Sequence, residues 1–274
     1  MVSDGRRTPH PRRARLARHL RLLREDAELT IKSVGRRMGW SDSKVSRIET
    51  GLSGITPGDA ARLLDIYNVT GPRRDWMLGL ASSGNPRHVP GAFRELEAES
   101  AAVLGYESIL VPGILQVPEY TRAIIQSHRP ELTVEETERL IELRVARQAL
   151  LTRADGPRFH LIVDEVALRR PVGGEPVIRA QLRRMIELGE LDSVMLQVLP
   201  AECVAHPAPN GAFTVLQFRD DLDPGIVALS HHLGTIYFDA PMDVEGYVDL
   251  FRRLGRHALD PGDSAKLLTR LASG

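Results

Sequence analysis

The stretch "LTIKSVGRRMGWSDSKVSRIETG", residues 29–51, sets two short helical patterns on either side of one glycine. Thr30 can cap the first, because its hydroxyl accepts an otherwise unpaired N–H of the opening turn, and that helix runs to Met38. Gly39 supplies the left-handed conformation on which helices commonly end. Ser41 caps the second helix, which reaches about Glu49, and Gly51 permits the positive φ needed to leave it. Val45 and Ile48 fall on one side of this second helix, which leaves its opposite face free for solvent or a partner. Gly35 lies where the two helices cross. Leucine there should force the crossing open, whereas alanine is expected to be tolerated, since a mid-helix glycine costs ~1 kcal/mol relative to alanine.

Outward from this pair the pattern stays helical. Leu16, Leu20, Leu23 and Ala27 recur at helical spacing before it. "TPGDAARLLDIY" follows, with Thr56 as cap and Pro57 at the first helical position, then "PRRDWMLGLA". Residues 1–11, rich in arginine and proline, read as a flexible arm, and "SSGNPRHVPG" reads as a linker. The expected organisation is a five-helix domain at 12–82, a linker at 83–94 and a second domain at 95–272. The second domain mixes periods. "AAVLGYESILVPGILQVPEYTRAIIQ" reads as helical on both sides of Pro112–Gly113, and "VEETERLIELRVARQALLTR" as an amphipathic helix. "FHLIVDE", "SVMLQVLP", "AFTVLQF", "IVALS" and "TIYFD" read as strands, and helices close the chain. The fold class expected is mainly α at the N-terminus, followed by an α+β domain with a small, mostly antiparallel sheet.

The charge total hides a segregation. The chain has 36 basic and 36 acidic residues, yet residues 1–84 hold 16 basic against 9 acidic, a balance of +7, and the rest hold 20 against 27, a balance of −7. A positive module beside a negative one suggests that the first meets a polyanion. No apolar run approaches a membrane span, and the basic N-terminus is not followed by an apolar segment of signal type, so a cytoplasmic protein with no membrane partner is expected. Cys203 is the only cysteine, which excludes an internal disulfide and reads as a buried apolar thiol. Asp164 and Glu165 are adjacent on a strand, so they face opposite ways and make a poor acid/base pair. His231 and His232 share that defect as metal ligands, and neither His160 nor His206 completes a ligand spacing. No catalytic residue, metal or cofactor is expected.

Leu29, Thr30, Val34, Gly35, Gly39, Val45, Ser46, Arg47, Ile48, Glu49 and Gly51 match the pattern of the phage-repressor, or Xre-type, helix-turn-helix proteins, which the chain resembles over about residues 16–82. The resemblance implies that the helix from Ser41 lies in the major groove of an operator. Asp42, Ser43, Lys44 and Arg47 would then read bases, and Arg12, Arg15, Lys32, Arg36, Arg37 and Ser41 would touch phosphates. It also extends the phosphate candidates to the series from Arg12 to Arg24. Leu29, Val34, Gly35, Gly39, Val45 and Ile48 would hold the two helices together. Ile31 departs from the family, which often has glutamine there, and puts that phosphate contact on Lys32 instead. A base-stacking role for Trp40 or Trp76, and a minor-groove role for Arg6, Arg7, Arg12 and Arg13, rank below core packing and a solvated tail.

"LVPGILQVPEYTRAII", "VARQALLTR", "VDEVALRRPVGG", "IRAQLRRMIEL", "MLQVLP" and "GAFTVLQF" are similar to the C-terminal domain of a class of actinobacterial regulators, antitoxin-like and WhiJ-like. "IVALSHH" departs from it where members often carry an acidic residue. The combined expectation is a homodimeric transcriptional regulator that binds double-stranded DNA and whose C-terminal domain engages a small protein encoded nearby. The alternatives are a ligand-sensing repressor with a small-molecule pocket in that domain and, remotely, an enzyme.

Overall fold

The computed structural model describes residues 11–81, 92–203, 205–219, 225–231 and 234–273. The arm with Arg6 and Arg7, most of the expected linker, His232, and the side chains of Arg12 and Trp76 lie outside the described residues. Five helices occupy the N-terminal part: α1 (Pro11–Asp26), α2 (Ile31–Met38), α3 (Asp42–Glu49), α4 (Pro57–Ile66) and α5 (Gly71–Ala81). A further helix, α6 (Ala92–Glu99), takes up the end of the expected linker and packs against α5. Leu16, Leu20, Val34, Val45, Ile48, Leu63, Leu64 and Met77 bury the apolar stripes that the spacing predicted.

The second half is a six-stranded mixed sheet in the order β3-β2-β1-β4-β5-β6. Its strands are β1 (Ala102–Glu107), β2 (Arg158–Asp164), β3 (Val194–Leu199), β4 (Phe213–Gln217), β5 (Ile226–His231) and β6 (Gly234–Phe238). Three pairings are antiparallel, β1 with β4, β4 with β5 and β5 with β6, while β1–β2 and β2–β3 are parallel. Parallel neighbours need a crossover. Here α7 (Pro118–His128) and α8 (Val134–Ala146) join β1 to β2, and α9 (Glu165–Arg169) and α10 (Glu175–Gly189) join β2 to β3.

The segment expected to be helical before Pro112 is instead β1, a central strand. Its alternation is half hidden by Gly105, which has no side chain because its neighbour leaves no room: a Cβ would stand 2.9 Å from Leu161 Cδ2. One sheet face, with Tyr106, Ile162, Phe213 and Val215, is covered by α11 (Pro241–Gly255) through Val244, Phe251 and Leu254. The other, with Val103, Phe159, Leu161 and Leu196, is covered by α10 and α12 (Pro261–Ser273). Cys203 is half-buried rather than buried and packs at the rim of the α11 core.

The two halves are not held apart. One apolar cluster runs from Leu16 and Leu20 of α1 to Leu96 of α6 and on to Phe159 and Leu161 of β2. No described helix is long and apolar enough to cross a membrane.

Candidate nucleic-acid interface

Each cap of the α2–α3 unit does what its residue type allows. Thr30 Oγ1 accepts from Ser33 N at 3.1 Å, and Ser41 Oγ accepts from Lys44 N at 3.2 Å. Gly39, at φ +70°, turns the chain so that Trp40 N donates to Gly35 O at 2.8 Å. That turn brings α3 over Gly35 very closely. A Cβ on Gly35 would lie 2.9 Å from Trp40 O and 3.3 Å from Asp42 Oδ1. The glycine therefore admits the backbone of the turn itself, and alanine, expected to be tolerated, meets a carbonyl that cannot move without displacing the start of α3.

Beneath the unit, Arg24 and Glu49 form a buried, two-pronged ion pair, Nε to Oε1 at 2.8 Å and Nη2 to Oε2 at 2.9 Å. Arg24 Nη1 also donates to Leu29 O at 2.9 Å. The pair pins the C-terminal end of α3 to α1 and to the chain entering α2. The hydrogen bond to Glu49 holds the Arg24 guanidinium above its ordinary pKa, and burial pushes the neighbouring Tyr67 phenol up. Arg24 thus belongs to the scaffold and not to a series of phosphate contacts. Its position was readable, since Arg24 follows Leu16, Leu20 and Leu23 on the buried side of α1, whereas Ala27, expected in the same stripe, lies exposed in the turn after the helix.

With Val45 and Ile48 buried, α3 turns Asp42, Ser43 and Arg47 to solvent. Lys44 is half-buried, its ammonium 3.8 Å from the centre of the Trp40 ring, a cation–π contact that fixes where the charge sits. Trp40 itself is partly buried against the core. Ser41 is exposed at the cap. On α2, Lys32 lies exposed in the first turn, and Arg36 and Arg37 are exposed in the last. Lys32, Arg36, Arg37 and Arg47 have no ion-pair partner among the described residues. Elsewhere in the helical half several arginines are engaged: Arg21 with Glu25 at 3.0 Å, Arg74 with Asp65 at 2.8 Å and Arg73 with Glu99 at 3.7 Å. Ile31, where the resembled family often has glutamine, is partly buried against the core, and Leu29 packs beside it. The α2–α3 face thus combines exposed cations, two capped helix N-termini and short polar side chains, a surface suited to phosphates and base edges.

Arg15 does not join that face. It is 5 % exposed, its Nη2 donates to Gly225 O at 2.8 Å, and its guanidinium lies 5.3 Å from the centre of the Phe218 ring. The expected phosphate contact is replaced by a junction with the sheet half, because the α1 surface that carries Arg15 is the one that docks. No single-helix pattern signals a contact 210 residues away.

In the second half, Asp164 and Glu165 are not two residues of one strand. Asp164 caps α9, its Oδ1 accepting from Val166 N at 2.9 Å, and Glu165 is buried, accepting from Arg169 and from Ala201 N. His160 bonds Gln197 at 2.6 Å, and burial lowers its pKa. Among the described residues no group of three or more His, Cys, Asp or Glu side chains is placed to hold a metal.

Comparison with known proteins finds two family matches. A family model described as a helix-turn-helix domain matches residues 15–77, and one described as a domain of unknown function (DUF5753) matches residues 91–270. No curated protein and no solved structure matches the chain.

Proposed function

The chain belongs to the DUF5753 family, and from that membership and its helix-turn-helix domain we propose a transcriptional regulator that reads an operator with α3 and sets its DNA affinity through the sheet half. The observation that carries the reading is the contrast on the helical half: Lys32, Arg36, Arg37 and Arg47 of α2 and α3 stand exposed and without an ion-pair partner among the described residues, while the opposite face of α3 is locked into the core. In the proposed complex Asp42, Ser43, Lys44 and Arg47 meet base edges, Arg47 donating two bonds to guanine and Asp42 accepting from cytosine. Lys32, Arg36, Arg37 and the Ser41 cap meet phosphates. The regulator binds as a homodimer of the Xre-type, with its two α3 helices about 34 Å apart on successive turns of the groove.

Selection from a random duplex library with the full chain tests this. A two-fold symmetric motif should emerge, and equal enrichment of all sequences would contradict it.

For the sheet half, the similarity to antitoxin-like regulators and the −7 balance favour an interaction module for a small protein encoded nearby. A second reading, a small-molecule sensor, is supported by a different observation: a cavity with a half-buried carboxyl that has no partner among the described residues, on the sheet face nearest the helix-turn-helix half.

A further inference from the structure

That cavity, of about 220 Å³, plays no part in DNA binding. Its floor is Gly105, which stands opposite Thr214 of β4 and Leu161 of β2 in the sheet register. Glu107, Thr214 and Thr235 rise from the strands, and Phe93, Glu97 and Arg147 close it from above. The volume equals about seven waters at roughly 30 Å³ each. This is more than a packing defect and less than the roughly 300 Å³ at which drug-sized sites begin.

The charges in the cavity do not balance. Glu97, 2 % exposed, and Arg147 satisfy each other through two bonds of 2.8 Å. Glu107 is left over: among the described residues its carboxyl makes no hydrogen bond or ion pair. Burial pushes it up to about 7, with Arg147 pulling the other way at longer range. A half-buried carboxyl that faces a cavity and has no protein partner is free to take one from a ligand. Thr214, on the neighbouring strand β4, adds a hydroxyl acceptor, Thr235 lies farther across the sheet on β6 with its hydroxyl 3.4 Å from that of Ser230, and the Phe93 ring adds an apolar wall.

We propose that this cavity binds a small organic cation, a primary amine or guanidine of up to about ten non-hydrogen atoms, whose charged nitrogen donates to Glu107, with Thr214 as the neighbouring hydroxyl acceptor. Binding a cation returns Glu107 to the carboxylate, so affinity rises with pH through the neutral range. The proposal rests on the sensor reading for its consequence. Phe93 and Glu97 belong to α6, which packs against α5, and Arg73 of α5 reaches Glu99 of α6 at 3.7 Å. An occupant therefore bears on the helix that joins the cavity to the DNA-binding half.

The test is thermal unfolding of the full chain at pH 8 and constant ionic strength with propylamine, tyramine and agmatine, against propanol and tyrosol as neutral counterparts. At least one amine should raise the midpoint by several degrees while the alcohols do not. The shift should vanish in Glu107→Gln, shrink in Thr214→Val and fade below about pH 7 in the native chain. The assignment is overturned if no amine shifts the midpoint, if an alcohol matches its amine, or if Glu107→Gln responds like the native chain. Affinity for a library-selected duplex, measured with and without the active amine, tests the sensor reading separately. A change supports it, and binding with unchanged DNA affinity overturns the sensor role while leaving the site.

Discussion

The Arg15 guanidinium donates to the carbonyl of Gly225 at 2.8 Å, so the first helix of the DNA-binding half is bonded to the residue that opens β5. A cation that the helix-turn-helix resemblance assigned to phosphates is held inside the molecule.

Arg15→Met should accordingly leave the salt dependence of non-specific duplex binding unchanged, whereas loss of one phosphate contact would reduce the slope of log K on log salt by about 0.9. The same variant should raise amide exchange in α1 and at the start of β5, because the junction loses its buried bond. Titrations at several salt concentrations and exchange mass spectrometry check the two halves of this expectation.

Arg24→Ala should lower unfolding free energy by about 3 kcal/mol or more, since it leaves Glu49 charged, buried and unpartnered. Replacing both residues by methionine should recover most of that loss, because neither charge then needs compensation. Denaturant unfolding of the single and double variants measures it. A small effect of the single change would return Arg24 to the surface.

Gly35→Ala should destabilise by about 1–3 kcal/mol and weaken DNA binding, against the gain of about 1 kcal/mol expected of an ordinary mid-helix glycine. The added methyl displaces the turn at Trp40 that aims α3. Unfolding and duplex titration of the one variant decide the sign.

Glu107 sits above its ordinary carboxyl range, so the folded chain holds a proton that the unfolded chain has released. Its contribution to stability is complete below about 4.5 and is lost as pH rises toward about 7. Against Glu107→Gln, the native chain should therefore lose roughly 1–3 kcal/mol across that window and stay level above it. His160, lowered by burial, acts with the opposite sign in both proteins and cancels in the difference. Unfolding curves at stepped pH values measure it.

The helical half was legible because each of its devices is local. Thr30, Gly39, Ser41 and Thr56 act within one turn of where they stand, and the apolar spacing of α1, α3 and α4 reports burial directly. The sheet half was legible strand by strand from β2 onward. β1 was not, because Gly105 interrupts its alternation and the reason for that glycine, Leu161, lies on another strand. The parallel order of β1, β2 and β3 was hidden for the same reason, since it depends on where α7 to α10 place the chain. At the DNA face, the cap and the exposed side of α3 followed from pattern, while the fates of Arg15 and Arg24 depended on partners distant in sequence. The Glu107 cavity draws its lining from α6, β1, β4, β6 and the turn after α8, and no window of sequence contains it.

The central claim is that α3 reads bases, and Arg47 tests it most directly. Affinities of the native chain and Arg47→Ala should be measured at one salt concentration on the library-selected duplex and on a scrambled duplex of equal length. The variant should lose about 1–3 kcal/mol on the selected site and little on the scrambled one, as removal of a two-bond contact to guanine requires. Equal losses on both duplexes, or none on either, would contradict the assignment of this helix to the major groove.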